Sequence, residues 1–360
     1  MFKKKFFTPG PSELYPNVDK YIIEAIDLQI GSISHRSPQY VEIHKKLVDN
    51  LREIFQIPDN FTIFVGGSAT QFMERVVENC VEKTSFHLVN GSFSRRFQEI
   101  SRDLHKDSRQ IRVGLGESFD FDNLKVPEES ELITFTSCET STGVEISPER
   151  IYQIKNQHPD KLIAVDAVSS YPYYNLNYKM VDAVIFSVQK GFGLPAGLGI
   201  AAVNERCVQK SYQLREKGIS VGSYNAFCLI DEKAKNFQTL ETPNVMGVYL
   251  LTRVLENMLA YGIEKIREET IHKANLLYNY FDNHSLFQPY ISNSEDRSKT
   301  VIVIKYDHPK EVLDKFKPEN IVIGGGYGEE KHRQFRIANF PAHSIEDMNN
   351  LLSKFTKFYG

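Results

Sequence analysis

Leu162-Ile163-Ala164-Val165-Asp166 and Val184-Ile185-Phe186-Ser187-Val188-Gln189-Lys190-Gly191-Phe192-Gly193 decide how this chain is read. Each begins as a short, apolar, β-prone run. The first ends in a carboxylate; the second ends in an amine followed at once by a glycine-rich turn. Runs this short and this apolar read as strands covered on both faces. The same texture recurs outward from them. Strands are expected at Thr62–Val65, Ser85–Val89, Leu132–Phe135 and Leu198–Val203, and helices at Gln71–Val81, Arg95–Leu104 and Pro148–Asn156. Such alternation predicts a mostly parallel α/β sheet with helices on both faces. Upstream, helical periodicity covers Tyr21–Ile26 and Tyr40–Phe55, and the segment around Pro9-Gly10-Pro11 reads as an irregular arm. After Pro243 the pattern changes. Two long helices (Val245–Leu259 and Ile263–Phe281), strands at Val301–Ile304 and Phe335–Ile337, and a closing helix predict a smaller α+β C-terminal domain, with the boundary near 243–260.

The chain has 360 residues, of which 41% are hydrophobic, enough for a sizeable core and against wholesale disorder. A net charge of −3 argues against nucleic acid as a partner. Cys80, Cys138, Cys207 and Cys228 are scattered, with neither metal-ligand spacing nor a disulfide framework. The basic start of the chain lacks the apolar stretch of a signal peptide, and no segment approaches membrane-spanning length. The expected location is the cytoplasm, with reduced thiols.

Several weak signals lie along this frame. Gly66-Gly67-Ser68-Ala69-Thr70-Gln71 follows a strand and opens a helix. Its free N–H groups suit a phosphate, and Ser68 with Gln71 equally suits a capping box that merely starts the helix. Phe93 stands at a strand-to-helix junction, where an aromatic either stacks on a ring or belongs to the core. Thr140, in Glu139-Thr140-Ser141-Thr142-Gly143, offers a hydroxyl in what is otherwise a polar turn. Arg336 alternates with Phe335 and Ile337 and offers a two-pronged grip for a carboxylate, or a plain exposed arginine. In order they make a set: anion loop, aromatic, Thr, Asp166, Lys190, late Arg. An amine beside an acid at strand ends is what pyridoxal phosphate chemistry requires. The lysine forms a Schiff base, and the acid keeps the pyridine nitrogen protonated.

On these residues the chain resembles the class V aminotransferases, which are pyridoxal-phosphate enzymes of fold type I. The resemblance is carried by Thr8-Pro9-Gly10-Pro11-Ser12, His35-Arg36-Ser37, Gly66 to Thr70, Glu139 to Gly143, Val165-Asp166-Ala167-Val168-Ser169-Ser170, Ser187 to Lys190, and Phe335-Arg336-Ile337, in the family's order over nearly the whole chain. It implies a seven-stranded, mostly parallel sheet in a large domain of residues 16–245. It also implies a small domain of 1–15 with 246–360, and a homodimer with shared active sites. Lys190 is implied as Schiff-base lysine and proton carrier, and Asp166 as partner of the ring nitrogen. Phe93 is implied to stack on the ring and Thr140 to bond its phenolic oxygen. Ser68, Ala69, Thr70, Ser169 and Gln189 are implied as further cofactor-binding residues, with Thr242 reaching the partner subunit's cofactor phosphate. Arg336 is implied to hold the α-carboxylate. The reaction implied is ping-pong transamination between amino-acid and 2-oxo-acid substrates.

Within the family, His35-Arg36-Ser37 resembles the phosphoserine aminotransferase branch, which belongs to serine biosynthesis and where that pair reaches a substrate phosphate from the partner subunit. The branch has a His-Arg pair and two glycines shortly before its carboxylate-binding Arg. Here the stretch reads Glu329-Glu330-Lys331-His332-Arg333, with a His-Arg pair close by but not at the same spacing, and the sequence leaves open which of these residues faces the site. Gly324-Gly325-Gly326 resembles the alanine– and serine–glyoxylate branch, the alternative reading. A non-catalytic relative is expected to lack Lys190 or Asp166, and both are present. A desulfurase needs a cysteine in the second domain, and all four precede it. A nucleotide-binding protein wants a Gly-x-Gly-x-x-Gly turn or a phosphate-loop lysine, and Gly66 opens neither.

Overall fold

The computed structural model describes residues 3–360. Its strands in chain order are β1 (Lys5–Phe7), β2 (Phe61–Gly66), β3 (Thr84–Val89), β4 (Asp107–Arg112), β5 (Leu132–Thr136), β6 (Cys138–Glu139), β7 (Val144–Glu145), β8 (Leu162–Asp166), β9 (Ala183–Ser187), β10 (Gly199–Asn204), β11 (Gln288–Pro289), β12 (Val301–Lys305), β13 (Ile321–Gly325) and β14 (Gln334–Ala338). The helices that matter below are α1 (Val18–Asp27), α2 (Pro38–Phe55), α3 (Ala69–Cys80), α4 (Ser92–Asp103), α5 (Val245–Tyr261) and α6 (Ile345–Tyr359).

Seven strands form the large sheet in the order β2-β10-β9-β8-β5-β3-β4. All neighbouring pairs from β9 to β4 are parallel, and β10 alone runs against its two neighbours. The expected seven-stranded, mostly parallel sheet is therefore present. Its central strands β5, β8 and β9 are buried at every residue, so they read as continuous apolar runs rather than alternating ones. Alternation survives in which face each side chain serves. Ile163, Val165, Val184 and Phe186 enter one core, while Leu162, Ala164, Ala183 and Ile185 enter the other beside α3. Asp166 continues the parity of Leu162 and Ala164, which sends its carboxylate to the face carrying α3.

The second sheet has the order β1-β13-β14-β12-β11. The arm expected to be irregular contributes β1, which pairs in parallel with β13 from Lys5↔Ile321 to Phe7↔Ile323. Three residues are too few to show a period, and the partner lies over 300 residues away in the chain. Likewise Gly324 and Gly325, two members of the glycine run, end a strand paired to β14. β4 carried no apolar signal because it is the polar edge of the large sheet.

α5, which a division at 245–246 assigns to the small domain, lies along α2. It buries Val248, Leu251 and Leu255 in the core of the large sheet. Met1 and Phe2, placed in the small domain by the same division, lie outside the described residues. The four cysteines are free and buried. Among the described residues no helix is long and apolar enough to cross a membrane.

Candidate active site

At the C-terminal ends of the parallel strands lies a cavity of about 380 Å³, where the large sheet meets the small one. This is the crevice in which open α/β sheets bind ligands. Its lining includes Ser68, Ala69, Thr70, Phe93, Thr140, Asp166, Gln189, Lys190 and Arg336, nine of the residues singled out from sequence.

Lys190 follows β9 and is 7% exposed. Its Nζ donates to Ser169 Oγ at 2.7 Å and Thr140 Oγ1 at 3.1 Å, and stands 5.1 Å from the centre of the Phe93 ring. Thr140 and Ser169 are also hydrogen-bonded to each other. Burial draws the Lys190 amine down to about 8, with the nearby Asp166 opposing that fall. Burial pushes the Asp166 carboxyl up to about 6, against the Val168 N–H it accepts at 2.9 Å and the charge of Lys190. Gly10 packs on the lysine stem, where a Cβ would come within 2.9 Å of Lys190 Cε at a φ of +145°.

These shifts carry a chemical expectation. At pH 7 a lysine of pKa about 8 is roughly 10% neutral, against roughly 0.03% for an ordinary one. Reductive methylation of Lys190 in the cofactor-free protein should therefore reach half its plateau rate near pH 8. Because Asp166 raises the amine, Asp166→Asn should move that midpoint lower. A midpoint near 10.5, followed by peptide mapping, would show the amine to be unperturbed.

At the cavity's opposite end, Ser68 caps α3, its Oγ accepting from Gln71 N at 3.2 Å. The Gln71 carboxamide accepts from Gly67 N at 2.9 Å, one residue short of a true capping box. The cap takes the Gln71 N–H and not those of Ala69 and Thr70, and these two residues line the cavity, so a helix start of this kind can also serve an anion.

Phe93 is set by Glu139, a fully buried carboxylate. It accepts from the N–H groups of Phe93 and Ser94 at the start of α4, and from Ser141 N and Oγ. A carboxylate at a helix N-terminus is favoured by the dipole and by the unpaired N–H groups there. Arg336 crosses from β14. Its Nε donates to Gly325 O at 2.7 Å and its Nη1 to Thr140 O at 3.1 Å, which leaves Nη2 for a ligand. Burial draws this guanidinium down to about 10.

His35, Arg36 and Thr242 do not line this cavity. Arg36 and Thr242 are exposed, and Arg36 donates to Gln238 Oε1 at 3.1 Å and Leu240 O at 3.3 Å. The two segments therefore form one surface cluster. None of Glu329, Glu330, Lys331, His332 and Arg333 lines the cavity either. Glu329 is held by Arg95, and Lys331 and His332 border a separate hollow beside Pro309. Sequence reasoning missed Arg96, Met73, Val168 and Tyr327, all of which line the cavity. Arg96 stands three residues beyond Phe93, on its face of α4, with its guanidinium 5.2 Å from the Phe93 ring. That i, i+3 spacing was the one available signal.

A lysine amine, a carboxylate and a helix N-terminus around one crevice, with an arginine in its wall, define a site for amino-group chemistry on a phosphorylated aldehyde cofactor. The chain belongs to the aminotransferase class-V family, whose model matches residues 7–329, and it is a transaminase. It is similar over its whole length to a phosphoserine aminotransferase from Cytophaga hutchinsonii, at 42% identity and a TM-score of 0.98, with all of both chains covered. It is 26% identical to the phosphoserine aminotransferase of Corynebacterium glutamicum and 24% to that of Rhodococcus opacus, over 96% of this chain and 92% of each relative.

Family membership implies pyridoxal phosphate. The donor set fits it: an anion cradle at Ser68, Ala69 and Thr70, an aromatic wall at Phe93, paired hydroxyls at Thr140 and Ser169, and an acid and an amine in between.

Proposed function

We propose that the protein is a phosphoserine:2-oxoglutarate aminotransferase working by ping-pong transamination. The observation that carries the reading is the single cavity shared by Lys190, Asp166, the α3 N-terminus and Arg336. The full-length similarity to the Cytophaga hutchinsonii protein supports the substrate.

The residues divide the work by position. Ser68, Ala69, Thr70 and Gln189 would hold the cofactor phosphate, and Phe93 would wall its ring. Thr140, which accepts from the Lys190 amine together with Ser169, would bond the phenolic oxygen, and Ser169 would add a second hydroxyl to the cofactor's surroundings. Asp166 holds the proton at the ring nitrogen. Once bound, the cofactor supplies an electron sink for the charge that develops at the substrate Cα. Arg336 grips the α-carboxylate through its free Nη2, which fixes Cα over the site. Lys190, with its amine drawn down to about 8 by burial, serves as a general base near neutral pH and carries the Cα proton.

The substrate's distal anion is assigned to His35 and Arg36 of a second copy, and Thr242 to the cofactor phosphate of the partner subunit. The placement of all three outside this chain's own cavity, with Arg36 and Thr242 exposed, supports a homodimer with shared sites. So do the exposed Leu14, Ile23, Ile26 and Leu28, and the apolar groove lined by Ile22, Leu194, Met246 and Leu250. Four buried free thiols support a reducing, cytoplasmic setting.

The test is a half-reaction on cofactor-loaded protein, adding phosphoserine, glutamate, serine or alanine singly and following the cofactor's absorbance. Fast change with the first two alone supports the reading. Change with serine or alanine moves the chain to the glyoxylate branch. Arg36→Ala should cost about 10- to 100-fold in kcat/KM for phosphoserine, the worth of a hydrogen bond to a charged group, and little for alanine. Randomly mixed Lys190→Ala and Arg36→Ala subunits should recover about a quarter of wild-type activity, since half the dimers are mixed and one of their two sites is intact. No recovery would place Arg36 in its own chain's site.

A further inference from the structure

Between β13 and β14 the chain leaves the small sheet and crosses to the start of α4 on the large one, as a strap over Gly326–Glu330. Three contacts fix it there. Glu329 Oε1 lies 3.0 Å from Arg95 Nη1 and 3.9 Å from Arg112 Nη2. Gly328 has a φ of +67°, and a Cβ on it would meet Ser92 Oγ at 2.6 Å, so only glycine lets the strap lie this close. Behind it, Gln334 Nε2 donates to both Ser141 O, at 3.0 Å, and Tyr327 O, at 3.3 Å.

The strap sets down one side chain in the cavity, that of Tyr327. Its ring stacks on Phe93 with centroids 5.2 Å apart and planes 20° apart, and the Arg336 guanidinium stands 5.3 Å from it. Tyr327 therefore spans from the ring-stacking wall to the carboxylate grip. An α-amino acid held by its carboxylate at Arg336, with its amino group turned to Lys190, must send its side chain past this phenol.

We infer that Tyr327 is the specificity-determining residue of the site, narrowing it to amino acids with unbranched side chains, and that the pairing of Glu329 with Arg95 and Arg112 is the latch that holds it in place. The inference rests on the placement of substrate between Arg336 and Lys190 given above. It also gives the glutamate at 329 a use compatible with an anionic substrate. Its charge is met by Arg95 and Arg112, outside the cavity, instead of facing the ligand.

The test compares kcat/KM of the cofactor-loaded wild type, Tyr327→Ala, Tyr327→Phe and Glu329→Gln on glutamate and phosphoserine against valine and phenylalanine. Tyr327→Ala should improve the branched and aromatic donors relative to the unbranched acids by about tenfold or more, the scale at which one pocket wall discriminates. Tyr327→Phe keeps the wall and should keep the wild-type ratio. Glu329→Gln should move the ratio the same way by no more than about fivefold, because the latch is a third or more exposed. In 1 M salt the wild type should approach the Glu329→Gln ratio. A Tyr327→Ala enzyme that loses activity on every donor in parallel, or that keeps the wild-type ratio, overturns the inference. A wild type that ignores phosphoserine overturns the substrate reading instead, and leaves the width comparison readable on glutamate.

Discussion

Replacing Lys190 by alanine is expected to lower transamination by at least ~10³-fold, within the range general acid–base catalysis supplies alone, while the protein stays folded. No other described amine lines the cavity, so no neighbour can take over the proton at Cα. The fold should tolerate the change. Lys190 faces a cavity, and Thr140 and Ser169 remain bonded to each other without it. A second readout is independent of turnover. Burial holds the folded-state amine near 8, below its ordinary value of 10.5, so the folded state carries a penalty for its charge. That penalty is fully present below pH 8 and vanishes as pH rises to about 10.5, where the unfolded chain also loses the proton. The cofactor-free variant should accordingly melt at or above the wild-type temperature at pH 7, with the difference disappearing by about pH 10.5. Wild-type turnover in the variant would sink the assignment of Lys190.

Asp166→Asn should cost about 10²–10³-fold in kcat, the scale of removing one preorganised electrostatic group from an active site. The substitution is close to isosteric. An asparagine oxygen can still accept from Val168 N–H, now met at 2.9 Å, so the loop after β8 should keep its shape. The charge is what is lost, and with it the hold on a proton at the ring nitrogen. Asp166 is not among the partners of the Arg336 guanidinium, so KM for the amino donor should change far less than kcat. An unchanged kcat would remove Asp166 from the chemistry. A KM effect alone would recast it as a binding residue.

Both residues were readable from sequence for a local reason. A short apolar run ending in a charged residue is a strand that delivers that residue to a sheet edge, and parallel order places successive edges side by side. Arg336 was readable because its neighbours Phe335 and Ile337 alternate with it and are buried. Ser68 was readable as a helix start, and the structure places that start in the lining of the cavity. Tyr327 was not readable. It follows a glycine run that passes for loop, and its meaning depends on Glu329 finding Arg95 and Arg112 more than 200 residues earlier in the chain. Arg96 was hidden by adjacency, because Arg95 and Arg96 look alike in sequence although one pairs with Glu329 and the other turns into the cavity.

Periodicity and chain order, which are local properties, sufficed for the parallel α/β sheet, the order of the site residues, and the acid and amine at its centre. Tertiary structure alone decided that Lys5–Phe7 is a strand of the distant small sheet, and that α5 belongs to the large core. It alone decided that the charged run at 329–333 stays out of the cavity while Tyr327 enters it. Each of those outcomes is set by a partner far away in the chain, and the energy of such a contact leaves no period or motif in either segment taken alone.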